Sequence, residues 1–174
     1  HRRENLGNPM RSIFAGIRRL VDRHADVALI YPVHLNPEVR KVANEVLGGH
    51  PRIALIDPLD AIDAHNFIAR ATLILTDSGG IQEEAPSFGV PVLVLRNTTE
   101  RPEGLEAGTL KLAGTDGRVV EEMAEELLTD KTAYLRMSQA ANPYGDGMAS
   151  QRIVEAMRFH FGRSAEVPKP YSGS

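Results

Sequence analysis

Cysteine is absent from this chain, which removes disulfide frameworks, thiolate metal sites and cysteine nucleophiles, and permits a reducing compartment. Long apolar runs are missing too. Nothing approaches the ~20 residues that span a bilayer, and no charged-then-apolar signal segment opens the sequence. A basic excess is likewise lacking: the formal net charge is −3, whereas proteins that grip a nucleic-acid backbone carry a basic surplus or stripe. Any affinity for phosphate must therefore be local. The chain reads as soluble and cytoplasmic, with neither membrane nor nucleic acid as a partner. No repeat or internal linker interrupts it, and 174 residues suit one domain with a core that needs no disulfide or metal.

What is present is an alternation of short apolar runs with longer helical patterns, the signature of an α/β fold with a parallel sheet wrapped by helices. Val27–Tyr31, Ile53–Ile56, Leu73–Leu75 and Val92–Leu95 read as buried strands, and Thr109–Leu112 as a shorter one. Pro9 after Asn8 starts a helix in which Ile13, Ile17, Leu20 and Val21 recur at helical spacing. A second helix runs from Pro37 toward Leu47 and is stopped by Gly48 and Gly49, and a third lies near Ala61–Arg70. A fourth extends from Ser78 to Gly89, bent or shortened by Pro86. Beyond Asp116 the pattern is helical throughout, with Val119, Val120, Met123, Leu127 and Leu128 expected on one apolar face. A second segment covers Tyr134–Ala141, a turn-rich loop covers Asn142–Gly147, and a terminal amphipathic helix covers Ala149–Phe161. Residues 1–161 form the expected domain and 162–174 a loose tail.

The stretch from Thr76 to Ala85 carries the chemistry. It leaves a β-rich run and enters a helix through Ser78-Gly79-Gly80. Paired glycines let a backbone approach an anion closely, and the unpaired amides of a first helical turn, at the positive end of the helix dipole, point toward it. Glu84 lies one turn beyond Gly80 on the same face, placed to accept hydrogen bonds from a sugar diol. Phosphate beside diol means a nucleotide. The alternative is a tight strand-to-helix turn with no ligand. Glu83 reads as a complement to the helix dipole. Two further polar groups fall at the carboxyl edge of the sheet: His34 with Asn36-Pro37, and the cluster from Arg96 through Thr98 to Glu103. For His34 the alternative is the capping of a turn; for Arg101 it is a carboxylate bridge that shapes its loop. His1 to Asn5 reads as a loop entered from an upstream strand. The absence of that strand from a doubly wound sheet exposes backbone edges.

Five strings occur here in the order and spacing of one known family: HRREN at His1–Asn5, YPVHLNP at Tyr31–Pro37, TDSGGIQEEAPSFG at Thr76–Gly89, TTERPE at Thr98–Glu103 and NPYGDG at Asn142–Gly147. The sequence resembles the carboxyl-terminal, nucleotide-binding half of the non-hydrolysing UDP-N-acetylglucosamine 2-epimerases. The resemblance implies one Rossmann-like domain of a two-domain glycosyltransferase-B fold, and an isomerase that interconverts UDP-N-acetylglucosamine and UDP-N-acetylmannosamine. In that chemistry the C2 proton has no carbonyl to acidify it. UDP and the proton are therefore lost to give 2-acetamidoglucal, and UDP returns as the proton is delivered to the opposite face.

Carried over residue by residue, the resemblance assigns the phosphates to Ser78, Gly79 and Gly80 and the ribose hydroxyls to Glu84. It gives His1 a catalytic place at the diphosphate or leaving-group oxygen, and sets Arg101 with Glu100 on the sugar side of the cleft. Arg2 and His34 match a second, activating UDP-N-acetylglucosamine site. Amides and cations can stabilise the departing pyrophosphate without metal or cofactor. The proton-transfer carboxylates belong to an amino-terminal domain that this chain lacks, and the family's homodimer also uses that half. Without it, the chain is expected to bind UDP weakly and not to epimerise. The donor half of a glycosyltransferase-B enzyme shares the glycine turn and ribose-binding Glu, and a non-catalytic UDP-sugar module is a further possibility.

Overall fold

The computed structural model describes residues 5–170. Its helices begin where the sequence supplies a fixed φ or an acceptor. α1 (Asn8–Arg23) carries proline in its first turn and buries Met10, Ile13, Phe14, Ile17, Leu20 and Val21 along one stripe. α2 (Pro37–Leu47) also opens on proline, with Asn36 Oδ1 accepting from the Glu38 amide at 2.9 Å. α3 (Ala61–Ile68) is capped by Asp60, whose Oδ1 accepts from the Asp63 amide at 2.8 Å.

The strands are β1 (Leu29–Pro32), β2 (Ile53–Ile56), β3 (Ile74–Thr76), β4 (Val92–Val94) and β5 (Leu110–Leu112), and every pairing is parallel. β1 starts two residues later than the sequence suggests. The Val27 amide donates to the His24 carbonyl and its own carbonyl accepts from the Arg52 guanidinium at 2.7 Å, so these groups close the turn after α1 instead of joining a ladder. The expected single sheet is divided. β1 pairs with β2, β3–β4–β5 form a second sheet, and among the described residues no strand joins the two.

One apolar core nevertheless runs across both sheets. α1 packs between α2 and α6 (Gly117–Thr129), while α2 lies on β2 and α6 on β4. Residues on β4 alternate between faces: Leu93 joins this core, and Val92 and Val94 join a smaller one with Ile68, Ala85 and Leu110. Each such side chain taken fully from water contributes roughly 1.5–3 kcal/mol. Tyr31 sits edge-on to Phe14, ring centroids 5.5 Å apart, and burial with the nearby Asp77 charge pushes its phenol up to about 12. Asn5 is buried at the carboxyl ends of the strands, its amide donating to the Leu95 carbonyl at 3.1 Å and to Asp77 at 3.3 Å.

The α1–α6 contact is backbone against backbone. A Cβ on Gly16 would lie 2.0 Å from the Gly117 carbonyl oxygen, and one on Gly117 would lie 1.8 Å from that of Ser12. On α6 the buried stripe is Val120, Ala124 and Leu127, whereas Val119, expected on the same face, is 40% exposed.

The glycine turn leads into α4 (Gly79–Glu84), which gives way at Ala85–Phe88 to a 3-10 turn ended by Gly89 in the left-handed region, as Pro86 requires. A helix not anticipated from the sequence, α5 (Pro102–Ala107), grows out of the Thr98–Glu103 cluster; Pro102 occupies a first-turn position and Gly108 the left-handed stop. α7 (Lys131–Ser138) and α8 (Ala149–His160) complete the chain, and α8 buries none of its residues. No described helix is long and apolar enough to cross a membrane.

Candidate functional site

The site is built where β3 and β4 end. Thr76 Oγ1 accepts the Ser78 amide at 3.0 Å, fixing the turn, and Ser78 caps α4 with extended backbone while its hydroxyl makes no capping bond. That hydroxyl stays available to a ligand. Beneath it lies Gln82, fully buried, which the sequence reading passed over. Its Nε2 donates to the Ser78 carbonyl at 3.1 Å and its Oε1 accepts from Thr99 Oγ1 at 2.5 Å. One amide thus ties the glycine turn to the loop that follows β4, a connection invisible without tertiary structure.

Gly79 and Gly80 have no folding reason to be glycine. Neither is in the positive-φ region. A Cβ on Gly79 would come no nearer than 3.6 Å to Arg101 Nη2, and one on Gly80 would lie 3.6 Å from Glu84 Oε1 and 3.9 Å from Ser78 Oγ, ordinary contacts with the tips of side chains. The bare backbone therefore lies beside a hydroxyl, a carboxylate and a guanidinium.

Arg101 is held beside Gly79 by its neighbours. Its Nε is paired with Glu83 and its Nη1 donates to the Glu100 carbonyl at 3.1 Å, leaving Nη2 toward Gly79. Glu83 is thus the partner of Arg101, and α4 carries no acid in its first turn, which corrects the reading of Glu83 as a dipole complement. Glu100 forms a bidentate pair with Arg96, at 2.6 and 3.1 Å. Thr99 Oγ1 also accepts the Arg101 amide at 3.1 Å, so the loop is braced at three successive residues.

Glu84 is the acid closest to the bare backbone. Its Oε1 overlies Gly80, and its Oε2 meets His65 Nε2 at 3.2 Å. His65, on α3, was not singled out by sequence. His34 is exposed and accepts the Asn36 amide on Nδ1 at 3.1 Å, the arrangement of a turn cap. His1 and Arg2 lie outside the described residues. The Asn142–Gly147 loop packs against the rim, with Asn142 donating to Ser87 Oγ at 3.0 Å and the Tyr144 hydroxyl against Gly104, where a Cβ would come within 2.4 Å of it. Burial raises the Tyr144 phenol above its ordinary value.

The family model described as UDP-N-acetylglucosamine 2-epimerase matches residues 1–158, nearly the whole chain. The chain belongs to the UDP-N-acetylglucosamine 2-epimerase family. Within it, the UDP-N-acetylglucosamine 2-epimerase of Bacillus subtilis is 60% identical over 173 residues, which is 99% of this chain and 46% of that protein. The co-structure of S. aureus MnaA with UDP superposes with a TM-score of 0.93 at 56% identity, covering 99% of this chain and 47% of that one. The Neisseria meningitidis UDP-GlcNAc 2-epimerase bound to UDP-GlcNAc gives 0.86 at 43% identity, over 90% and 42%. The chain therefore spans about half the length of the 2-epimerases it matches. Its α/β architecture with parallel strands is that of the family's glycosyltransferase-B type fold, and division of the sheet does not disturb the superposition.

Proposed function

We propose that this chain is the UDP-binding half of a UDP-N-acetylglucosamine 2-epimerase, acting in the cytoplasm as part of a homodimeric two-domain enzyme. Ser78, Gly79 and Gly80 receive the diphosphate through the Ser78 hydroxyl and the leading amides of α4, Arg101 neutralises it from the side, and Glu84 accepts from the ribose hydroxyls. The reaction needs the diphosphate held as a leaving group, kept while the glucal forms, and returned. Donors already oriented toward the developing charge favour the departing anion over the intact sugar nucleotide, which lowers the barrier.

The observation that carries this reading is the pair of glycines left bare beside a free hydroxyl, a carboxylate and a guanidinium, with no steric or torsional demand for their identity. His1 at the leaving-group oxygen, and Arg2 with His34 at an activating second site, extend the reading from the family motifs. Proton transfer is assigned to carboxylates of the amino-terminal half, so the chain alone is expected to show no turnover.

Calorimetric titration with UDP tests the reading. Ser78→Ala and Glu84→Ala each should weaken binding, by about tenfold for a hydrogen bond to a charged group. Unchanged affinity in both would move the site elsewhere. Release of 2-acetamidoglucal by the two-domain protein separates epimerisation from glycosyl transfer.

A further inference from the structure

We propose that His65 is a positioning residue that selects ribonucleotides by holding the Glu84 carboxylate toward the sugar diol; this rests on the reading of Glu84 as the ribose ligand. The two oxygens of Glu84 are used differently. Oε2 is engaged by His65 Nε2 at 3.2 Å, and Oε1 lies over Gly80 on the side of Ser78 Oγ. A carboxylate oxygen can only accept, so Nε2 carries the proton and the imidazole saturates one oxygen while leaving the other to a ligand. A glutamate has three rotatable bonds and is half-exposed here; without a fixed neighbour it would sample many directions at a cost in binding entropy.

His65 is suited to act as that neighbour because both its backbone and its ring are held. It lies in the last turn of α3, whose start is set by the Asp60 cap and whose end is anchored by buried Ile68. Its ring also rests against Phe88, centroids 6.2 Å apart at 44°, so the 3-10 turn after α4 supports it. Among the described residues its hydrogen bond goes to Glu84 and not to the phosphate turn, so its effect is expected at the sugar end of the site.

The test compares UDP with 2′,3′-dideoxyuridine diphosphate, titrated calorimetrically against the chain and its His65→Ala and His65→Gln variants, with thermal melts to confirm folding. The wild-type chain should prefer UDP. His65→Ala should bind UDP about three- to tenfold more weakly, as expected for the loss of one hydrogen bond to the carboxylate, with dideoxyuridine diphosphate unaffected. His65→Gln, which keeps a donor near the same place, should recover most of the preference. Equal UDP affinity in His65→Ala and wild type overturns the proposal, and so does an equal loss for both nucleotides, which marks a merely structural role. If the wild-type chain binds both nucleotides alike, the assignment of Glu84 to the ribose fails first; if it binds neither, the phosphate site fails.

Discussion

Two pairs of glycines in this molecule look alike in sequence terms and differ in physical cause. Gly16 and Gly117 bring α1 and α6 into backbone contact, and a methyl group on either would fall within 2.0 Å of a carbonyl oxygen. A methyl group on Gly79 or Gly80 would make only ordinary contacts, at 3.6 Å or more from any described neighbour. The first pair is glycine because the fold demands it. The second meets no such demand, and on the proposed reading it is glycine so that a diphosphate can approach the backbone.

Substitution should pull the two pairs apart. Gly117→Ala, the largest effect, forces α1 and α6 to separate and should cost about 3 kcal/mol or more, seen as a clear drop in Tm, while molecules that remain folded keep their UDP affinity. Gln82→Leu probes the link between regions: it strips the Ser78 carbonyl and Thr99 hydroxyl of a buried partner. Chemical denaturation should register a loss of about 2 kcal/mol, accompanied by weaker UDP binding. Gly80→Ala should do the reverse of Gly117→Ala, leaving Tm unchanged or raised because alanine favours helix, while UDP binds about tenfold more weakly. A Gly80→Ala chain that melts early but binds normally would erase the distinction.

An effect absent at neutral pH lies against the α1 core. The Tyr31 phenol ionises near 10 when unfolded and at about 12 when folded. Above pH 10 the unfolded chain sheds a proton that the native state retains, so stability is full below 10 and declines as pH rises toward 12. Melts of Tyr31→Phe across that window should show a shallower decline than wild type.

Much of this was legible in the sequence where local chemistry decides. Pro9, Pro37 and the Gly48-Gly49 stop placed α1 and α2, and Pro86 foretold the change from α4 to a 3-10 turn. The glycine turn, Arg101 and Glu84 do converge on one spot. What escaped depended on partners distant in the chain. Val27 was lost from β1 to a turn and to Arg52, and Val119 lies off the buried stripe of α6 because that stripe is set by where Gly117 meets α1. α5 hid inside a cluster of polar residues whose Pro102 marks a helix start as readily as a loop. Gln82, His65 and the Glu83–Arg101 pair carry no pattern along the chain; each acquires a role only when α3, α4 and the loop after β4 are brought together.

The most direct test of the central claim is a crystal structure of the chain soaked with UDP. The account predicts diphosphate oxygens within hydrogen-bond reach of the Ser78 hydroxyl and the amides of Gly79 and Gly80, with the ribose hydroxyls on Glu84 Oε1. Density for UDP elsewhere, with that turn left bare at saturating nucleotide, would contradict it.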